Sequence, residues 1–367
     1  MNTKVKKKAL LSALNSVSYA VSKKGCDPIM SNIKIDVREQ GDIMLSANNG
    51  EVSYMKKVQL ETTPDGCVSI CIAPKIISDI LNSIKDDVIE IGVDDNVFYI
   101  GHSNGRFRTS YLSSEDFSII SKDKDCKKVD VESKLLSSLI CDAVKFKSDD
   151  ELRTNISGIY LYISDGVLGV CATDTRILYH NFSDCINDIS CEGIIPSRSI
   201  PCVIDALKSS DMISIYFGEK TMTFRNEDSM IICTTPVVKF PDFRKIITRY
   251  ESPCYATVDK GSLTGSVSRA VISSPLDTNI ISISISENAI SIKGEDLSSQ
   301  KEAEEKIECN TYGDITFGVK GDIFTKCISA VVCEDITIEA SSPKKGIFLI
   351  DPSCHNKTIL VMPVVSK

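Results

Sequence analysis

The chain has no run of about 18 apolar residues, so it offers no span for a transmembrane helix. It has three histidines, His102, His180 and His355, none beside a cysteine pair, and no Cys-x-x-Cys. Zinc-ligand spacing is therefore missing, and no metal is expected. Gly-x-Ser-x-Gly and the glycine-rich phosphate loop are missing too. Without a nucleophile elbow, phosphate cradle or metal set, the chain is expected not to be an enzyme, and no catalytic residue or cofactor is assigned. Asp149-Asp150-Glu151 reads as a solvated turn after a helix, and Asp174 as a brace at a strand's exit. The 15 cysteines are odd in number and irregularly spaced, which fits free thiols in small apolar positions of a reducing cytosol.

What is present is ordinary for a globular protein: 367 residues, 42% apolar and 25% charged, with a net charge of −8. That length supports two or three domains. Lys4 and Lys6 to Lys8 precede ALLSALNSVSYAV, an arrangement a secretory signal would share. Leu10, Leu11, Leu14, Val17 and Val21 nevertheless fall on one helical stripe, and the pattern recurs inside the chain, so a structural helix is expected.

The recurrence is the main signal. Amphipathic helices are expected at 7–21, 133–147 and 260–273, with Leu11, Leu136 and Leu263 in like places, 125 and 127 residues apart. A hairpin follows each, at 31–49, 158–176 and 279–296, turning at Gln40-Gly41-Asp42, Ser164-Asp165-Gly166 and Ser286-Glu287-Asn288. In the middle copy Ile159, Leu161 and Ile163 take one face and Tyr160 and Tyr162 the other, which predicts a half-buried strand. Second helices are expected at 74–85, 197–208 and 320–332; Pro74, Ser197 and Lys320 are 123 residues apart both times. Strands close each copy at 87–112, 212–237 and 335–365. A period of this length is a whole domain. Polar links at 121–125 and 248–253 place domains at 1–125, 126–252 and 253–367. The class is α+β, with helices on one face of antiparallel sheets whose edge strands could pair across boundaries.

Charge is unevenly distributed. With their flanks, the six helical segments (3–24, 74–85, 133–147, 197–208, 259–273 and 320–328) carry 17 Lys and Arg against 5 Asp and no Glu, leaving the rest of the chain acidic. Helix propensity alone would bring in Glu as readily as Lys. A basic helix layer suits a polyanion, which reads charge locally, so net acidity does not exclude DNA. The helices lack interleaved aromatics, which disfavours single-strand stacking and base readout.

Several segments carry a resemblance: Pro28-Ile29-Met30-Ser31-Asn32-Ile33, Gly105-Arg106-Phe107, Arg153 to Leu178 with Ala172-Thr173-Asp174, Lys239-Phe240-Pro241-Asp242-Phe243, and Val361-Met362-Pro363. In order and spacing they resemble the bacterial sliding clamp, the β subunit of DNA polymerase III. The resemblance implies a head-to-tail homodimer, a closed ring of clamp domains whose helices line a hole around double-stranded DNA. It implies a processivity factor that slides without sequence specificity, in the cytoplasm on the nucleoid. Its partners would be the replicative polymerase α subunit, the clamp loader and other proteins with clamp-binding motifs, with no membrane role. A repeated-domain scaffold that binds peptides without encircling DNA is the alternative, which the basic helices disfavour.

The resemblance also assigns residues. Lys24, Lys75 and Arg198 match basic DNA-facing positions; helix placement and charge add Lys23, Lys134, Lys145, Lys147, Lys260 and Arg269. Ring closure is expected between Arg106, Phe107 and Arg108 on one side and Glu302, Glu304 and Glu305 on the other, with Val271 and Ile272 receiving Phe107. The family binds extended peptides bearing Gln and a Leu/Phe pair. The matching pocket is Arg153, Ile156, Thr173, Thr175, Arg176, Ile177, Leu178, Pro241, Lys245, Ile246, Leu360, Val361, Met362, Pro363 and Val364. Where the family often has Gly-His-Arg-Leu after Thr-Asp, this chain has Thr175-Arg176-Ile177-Leu178; its tail is Val364-Val365-Ser366-Lys367 instead of Met-Arg-Leu.

Overall fold

The six amphipathic segments are helical in the structure, a computed structural model that describes residues 1–22, 27–94, 97–185 and 189–364. They are α1 Lys7–Val17, α2 Pro74–Ser83, α3 Ser133–Ala143, α4 Ile200–Leu207, α5 Lys260–Ser273 and α6 Gly321–Ser329. Among the described residues no helix is long and apolar enough to cross a membrane. α1 buries Leu10, Ala13, Leu14 and Val17, the i, i+3, i+4, i+7 stripe of an amphipathic helix. α2 starts on Pro74, whose missing N–H costs nothing in a first turn. α5 is capped by Asp259, whose carboxylate accepts from the Ser262 N–H at 2.7 Å.

Each first helix is entered in the same way. The N–H groups of Lys7, Ser133 and Lys260 donate to the carbonyls of Asp87, Asp211 and Glu334 at 2.8, 2.8 and 2.7 Å. The Lys7 and Lys260 ammonium groups also reach the carbonyls of Ile84 and Val331, just past α2 and α6, where helix ends leave acceptors open. The middle copy has Ser133 instead, with its hydroxyl buried and unpartnered among the described residues.

The hairpins follow the expected turns. Asp165 and Gly166 both have positive φ, 53° and 75°, the two-residue turn whose twist matches antiparallel strands. Gly41 likewise takes φ 81°, but Asp42 already belongs to the return strand and pairs with Arg38.

The chain divides into two compact units, Met1–Ser138 with Cys191–Val237, and Leu139–Ser190 with Val238–Lys367. This cut falls elsewhere than the sequence boundaries near 125 and 252. In the first unit, strand Val52–Gln59 pairs with Ser229–Thr234, Met55 opposite Met230 and Tyr54 opposite Ile231. In the second, Ile177–Asp184 pairs with Lys357–Val361, Leu178 opposite Leu360. Each unit has a second, four-stranded sheet. One runs Asn2–Lys6, Val88–Asp94, Val97–His102, Gly105–Thr109; the other runs Lys301–Glu308, Ala289–Asp296, Ile280–Ser286, Ile315–Lys320.

Both strand junctions carry a polar network on their helix side. In the first unit Tyr54 donates to Asp205 of α4 at 2.7 Å. Lys56 reaches Asp205 at 3.6 Å and donates to Ser16 of α1 at 3.0 Å. Burial and the adjacent carboxylate push the Tyr54 hydroxyl far above its ordinary pKa. In the second unit Tyr179 donates to Asp142 of α3 at 3.4 Å. The buried Lys357 lies 3.8 Å from Asp142 and 3.6 Å from Asp351, and donates to the Ala330 carbonyl at 3.1 Å.

One expectation is corrected. Strand Ile159–Ser164 is not half-buried: Tyr160 and Tyr162 are 6% and 8% exposed, and the isoleucine face is sealed as well. The tyrosine face is covered by Lys239-Phe240-Pro241-Asp242-Phe243. Phe240 stacks on Tyr160 at 4.8 Å, and Phe243 sits 4.9 Å from the His180 ring. Tyr162 and His180 share a 2.9 Å hydrogen bond beneath it. Alternation cannot foresee a distant segment folding over the polar-looking face. Five of the cysteines fill buried sites, Cys71, Cys171, Cys202, Cys233 and Cys327, and burial pushes the Cys202 thiol up to about 12, whereas Cys67 and Cys141 are exposed.

Two outcomes follow. Asp205→Ala strands the Tyr54 hydroxyl and the Lys56 ammonium in a partly buried place, and urea unfolding should register a loss of about 2–4 kcal/mol. Exposed Asp79 changed to Ala should cost less than about 0.5 kcal/mol. The second outcome concerns pH. Burial, then the Arg244 charge, lowers the His180 pKa to about 4, against about 6.5 in an unfolded chain. The native state thus favours neutral imidazole. Its stabilisation is complete above about pH 6.5 and drains away as pH falls toward about 4, by roughly 3 kcal/mol in all. In His180→Phe this part of the stability–pH profile should flatten; an unchanged slope would show that other groups set it.

Candidate functional site

The turn after strand Val167–Thr173 is built by side chains. Asp174 Oδ1 accepts from the N–H groups of Arg176 and Ile177, both at 2.8 Å. Thr173 Oγ1 donates to the Ile177 carbonyl at 2.6 Å and accepts from the Thr175 N–H at 3.1 Å. Asp174 is therefore a brace, as the sequence indicates. Thr175 has φ 79°, a conformation costly for a β-branched residue and natural for glycine. The departure at this position thus keeps the turn while adding strain, a feature that clusters at functional sites.

This turn lies directly on the chain's last strand. The Met362 N–H donates to the Arg176 carbonyl at 2.7 Å, Ile177 pairs with Val361, and Leu178 with Leu360. Those four apolar residues are buried, and Met362 is 39% exposed at the lip. Val364 is held by its N–H to the Gly318 carbonyl at 2.8 Å, with Pro363 half-buried between. The other expected pocket residues sit on separate turns of the same unit. Arg153 accepts through its carbonyl from the Ile156 N–H at 3.0 Å, and Ile156 is buried. Pro241 is fixed between the two anchored phenylalanines, and Ile246, 47% exposed, donates its N–H to the Phe243 carbonyl at 2.9 Å. The sequence left Leu152 and Arg244 unmarked. Leu152 is 93% exposed beside Arg153, and the Arg244 guanidinium lies 5.2 Å from the Tyr162 ring centre. An exposed leucine in a polar turn was the available signal for the first; nothing local marks the second.

The helical cations separate into two groups. Lys75 and Lys134 are exposed and form no ion pair among the described residues. Lys145 is exposed and lies 3.7 Å from Asp142; Arg198 meets Glu51 at 2.9 Å. Lys147 is largely covered and pairs with Asp149 at 3.0 Å. Lys260 is engaged at the α6 end, and Arg269 makes a two-pronged pair with Glu305. The structure thus holds Lys147, Lys260 and Arg269 in intrachain contacts instead of leaving them free for phosphates. Lys23 and Lys24 lie outside the described residues. Lys8, unmarked by the sequence reading, is exposed on α1. The other exposed positions of α1 and α3 are small and uncharged, including Ser12, Asn15 and Ser138, whereas α2 and α6 also expose Asp79 and Asp322.

The two segments expected at ring closure are the outermost strands of the four-stranded sheets, Gly105–Thr109 and Lys301–Glu308. Four of the five charged residues expected at closure, all but Glu304, are already paired within the chain. Arg106 meets Glu90 at 3.3 Å and covers the Tyr99 ring; Arg108 meets Asp94 at 3.2 Å. Glu302 meets Lys293 at 2.9 Å. Arg269 and the Ser266 hydroxyl hold the Glu305 carboxyl down at about 2. Glu304 stays exposed. Phe107 and Val271 are half-buried and Ile272 is 68% exposed. Leu276 and Leu297, in the same unit as Ile272, are 81% and 82% exposed and were not marked in the sequence.

Known proteins resemble this chain in sequence and in fold. Residues 1–121 match the family described as DNA polymerase III beta subunit, N-terminal domain. A beta sliding clamp of Pseudomonas putida is 22% identical over 99% of this chain and 100% of its own. One from Streptococcus pneumoniae is 23% identical over 94% of each. The crystal structure of the DNA polymerase III subunit beta from Pseudomonas aeruginosa, 21% identical, superposes with a TM-score of 0.93 over all of both chains. Along nearly its whole length, then, the chain is similar in sequence to proteins named beta sliding clamp, and it shares the fold of a DNA polymerase III beta subunit.

Proposed function

We propose that this chain is a DNA sliding clamp, the processivity factor of a replicative DNA polymerase. The observation that carries the reading is the end-to-end correspondence, in sequence and in fold, with proteins that bear that name. Two copies close head to tail: the Gly105–Thr109 strand of one continues the Lys301–Glu308 sheet of the other. Outermost strands with open N–H and C=O rows support such pairing. The apolar Phe107 entering beside Val271 and Ile272 contributes more than the charges, since exposed ion pairs give about 0–1 kcal/mol each and most here have intrachain partners. The ring is built from the three repeats, 1–125, 126–252 and 253–367, each entered through the same first-helix hydrogen bond.

DNA passes the helices. Lys75, Lys134, Lys145 and Arg198, with Lys8, give scattered contacts to phosphate, and the other exposed residues of α1 and α3 are small and uncharged. Few cations mean weak, salt-sensitive, sequence-independent attraction, which permits sliding. Retention then comes from topology, and no catalysis is required. The polymerase α subunit, the clamp loader and other motif-bearing proteins dock extended peptides against Leu178, Leu360 and Met362, in the cytoplasm on nucleoid DNA.

On nicked circular duplex, clamps placed by a loader should remain through gel filtration at about 0.2 M salt and be lost once the circle is cut. Equal retention on both forms would point to the scaffold alternative. In the groove, Met362→Ala with Leu178→Ala should weaken a polymerase-derived peptide about a hundredfold while sedimentation still reports a dimer. Unchanged peptide affinity would remove these residues from the groove.

A further inference from the structure

In every repeat the turn before the closing strand is tied to the end of the second helix. In the first repeat that turn is Ser103-Asn104, between strands Val97–His102 and Gly105–Thr109. Asp86, just past α2, accepts from the Ser103 N–H at 3.0 Å and from its hydroxyl at 3.1 Å. The Asn104 N–H donates to His102 Nδ1 at 3.3 Å. In the middle repeat Asn226 begins the turn. Its amide donates to the Ala206 carbonyl and the Ser209 hydroxyl, at 3.1 and 3.2 Å, where α4 ends. In the third repeat Asp351 accepts from the Val332 N–H, just past α6, at 2.8 Å. Three different side chains thus make one kind of tie.

The strand after each tied turn is the one a repeat offers to a neighbour. Ser229–Thr234 follows Asn226 and joins Val52–Gln59; Lys357–Val361 follows Asp351 and joins Ile177–Asp184. Gly105–Thr109 follows the Asp86 tie, and among the described residues it pairs only with Val97–His102. We propose that Asp86 is a positioning residue for ring closure, holding Gly105–Thr109 in the conformation that a second copy pairs with. This rests on the ring reading above. The physical argument is preorganisation. A five-residue edge strand bonded on one side opens easily, and any disorder at its turn must be removed when the second copy docks. Asp86 removes part of that disorder beforehand, through two hydrogen bonds to a charged acceptor. Its own loop is fixed, because the Asp87 carbonyl accepts from the Lys7 N–H at 2.8 Å. A head-to-tail ring of two chains closes at two equivalent places, so a loss at one closure enters the dimer constant squared.

The test is the dimer dissociation constant of the whole chain, read by diluting a fluorescently labelled preparation. Asp86→Ala should raise it about tenfold, roughly threefold at each closure. Asp86→Asn keeps an accepting oxygen and should fall between Asp86→Ala and the unaltered chain. Asn226→Ala removes the counterpart tie at a junction inside the chain. It should lower the urea midpoint and leave the dimer constant within about twofold. An unchanged constant in Asp86→Ala overturns this inference and leaves the ring standing. An equal rise in Asn226→Ala also overturns it, by showing general destabilisation, and so does Asp86→Asn as weak as Asp86→Ala. An unaltered chain that stays monomeric at every concentration overturns the ring and this inference together.

Discussion

A β-strand at the edge of a sheet must find a partner for its backbone N–H and C=O groups, stay short, or wait for another chain. That constraint organises this protein. The repeats each supply strands that would be open if the repeat stood alone. Val52–Gln59 meets Ser229–Thr234, and Ile177–Asp184 meets Lys357–Val361, so two potential edges become sheet interiors. Tyr54 with Asp205, and Tyr179 with Asp142 and Lys357, pin helices over those junctions, giving the pairings a fixed register. Gly105–Thr109 and Lys301–Glu308 each remain at one edge of a four-stranded sheet, the edges that the proposed ring extends with a second copy.

The same junction carries the proposed partner groove. Because the last strand lies beside Ile177 and Leu178, the turn preceding them comes next to Met362, joining residues nearly two hundred positions apart. Thr173 and Asp174 are engaged within the strand's exit itself. Their hydrogen bonds run to the backbone of their own turn, and the strain at Thr175 is held by those bonds. The turn leaves the Arg176 side chain exposed.

Charge behaves differently on paper and in space. The excess of Lys and Arg on the helices is real, but Lys260 caps a helix end and Arg269 is tied to Glu305, while Lys75 and Lys134 stay exposed. A sparse set of cations suits a polyanion that must move. The acidic strand near residue 304 similarly loses most of its apparent reach, since Glu302 and Glu305 answer to Lys293 and Arg269.

The sequence by itself determined the periodic order of helices and hairpins, since amphipathic spacing and turn chemistry at Gly41 and at Asp165-Gly166 are local. It also pointed to the turn at 173–178 and the last strand as one site, through resemblance more than pattern. Only the tertiary structure decided that Tyr160 and Tyr162 are buried, because Phe240 and Phe243 arrive from some eighty residues away to cover them. It alone decided which cations are free, because an ion pair such as Arg269 with Glu305 joins a helix to a strand 36 positions later. Periodicity is encoded within a few residues of each position; burial and charge pairing depend on which distant side chain the fold brings alongside.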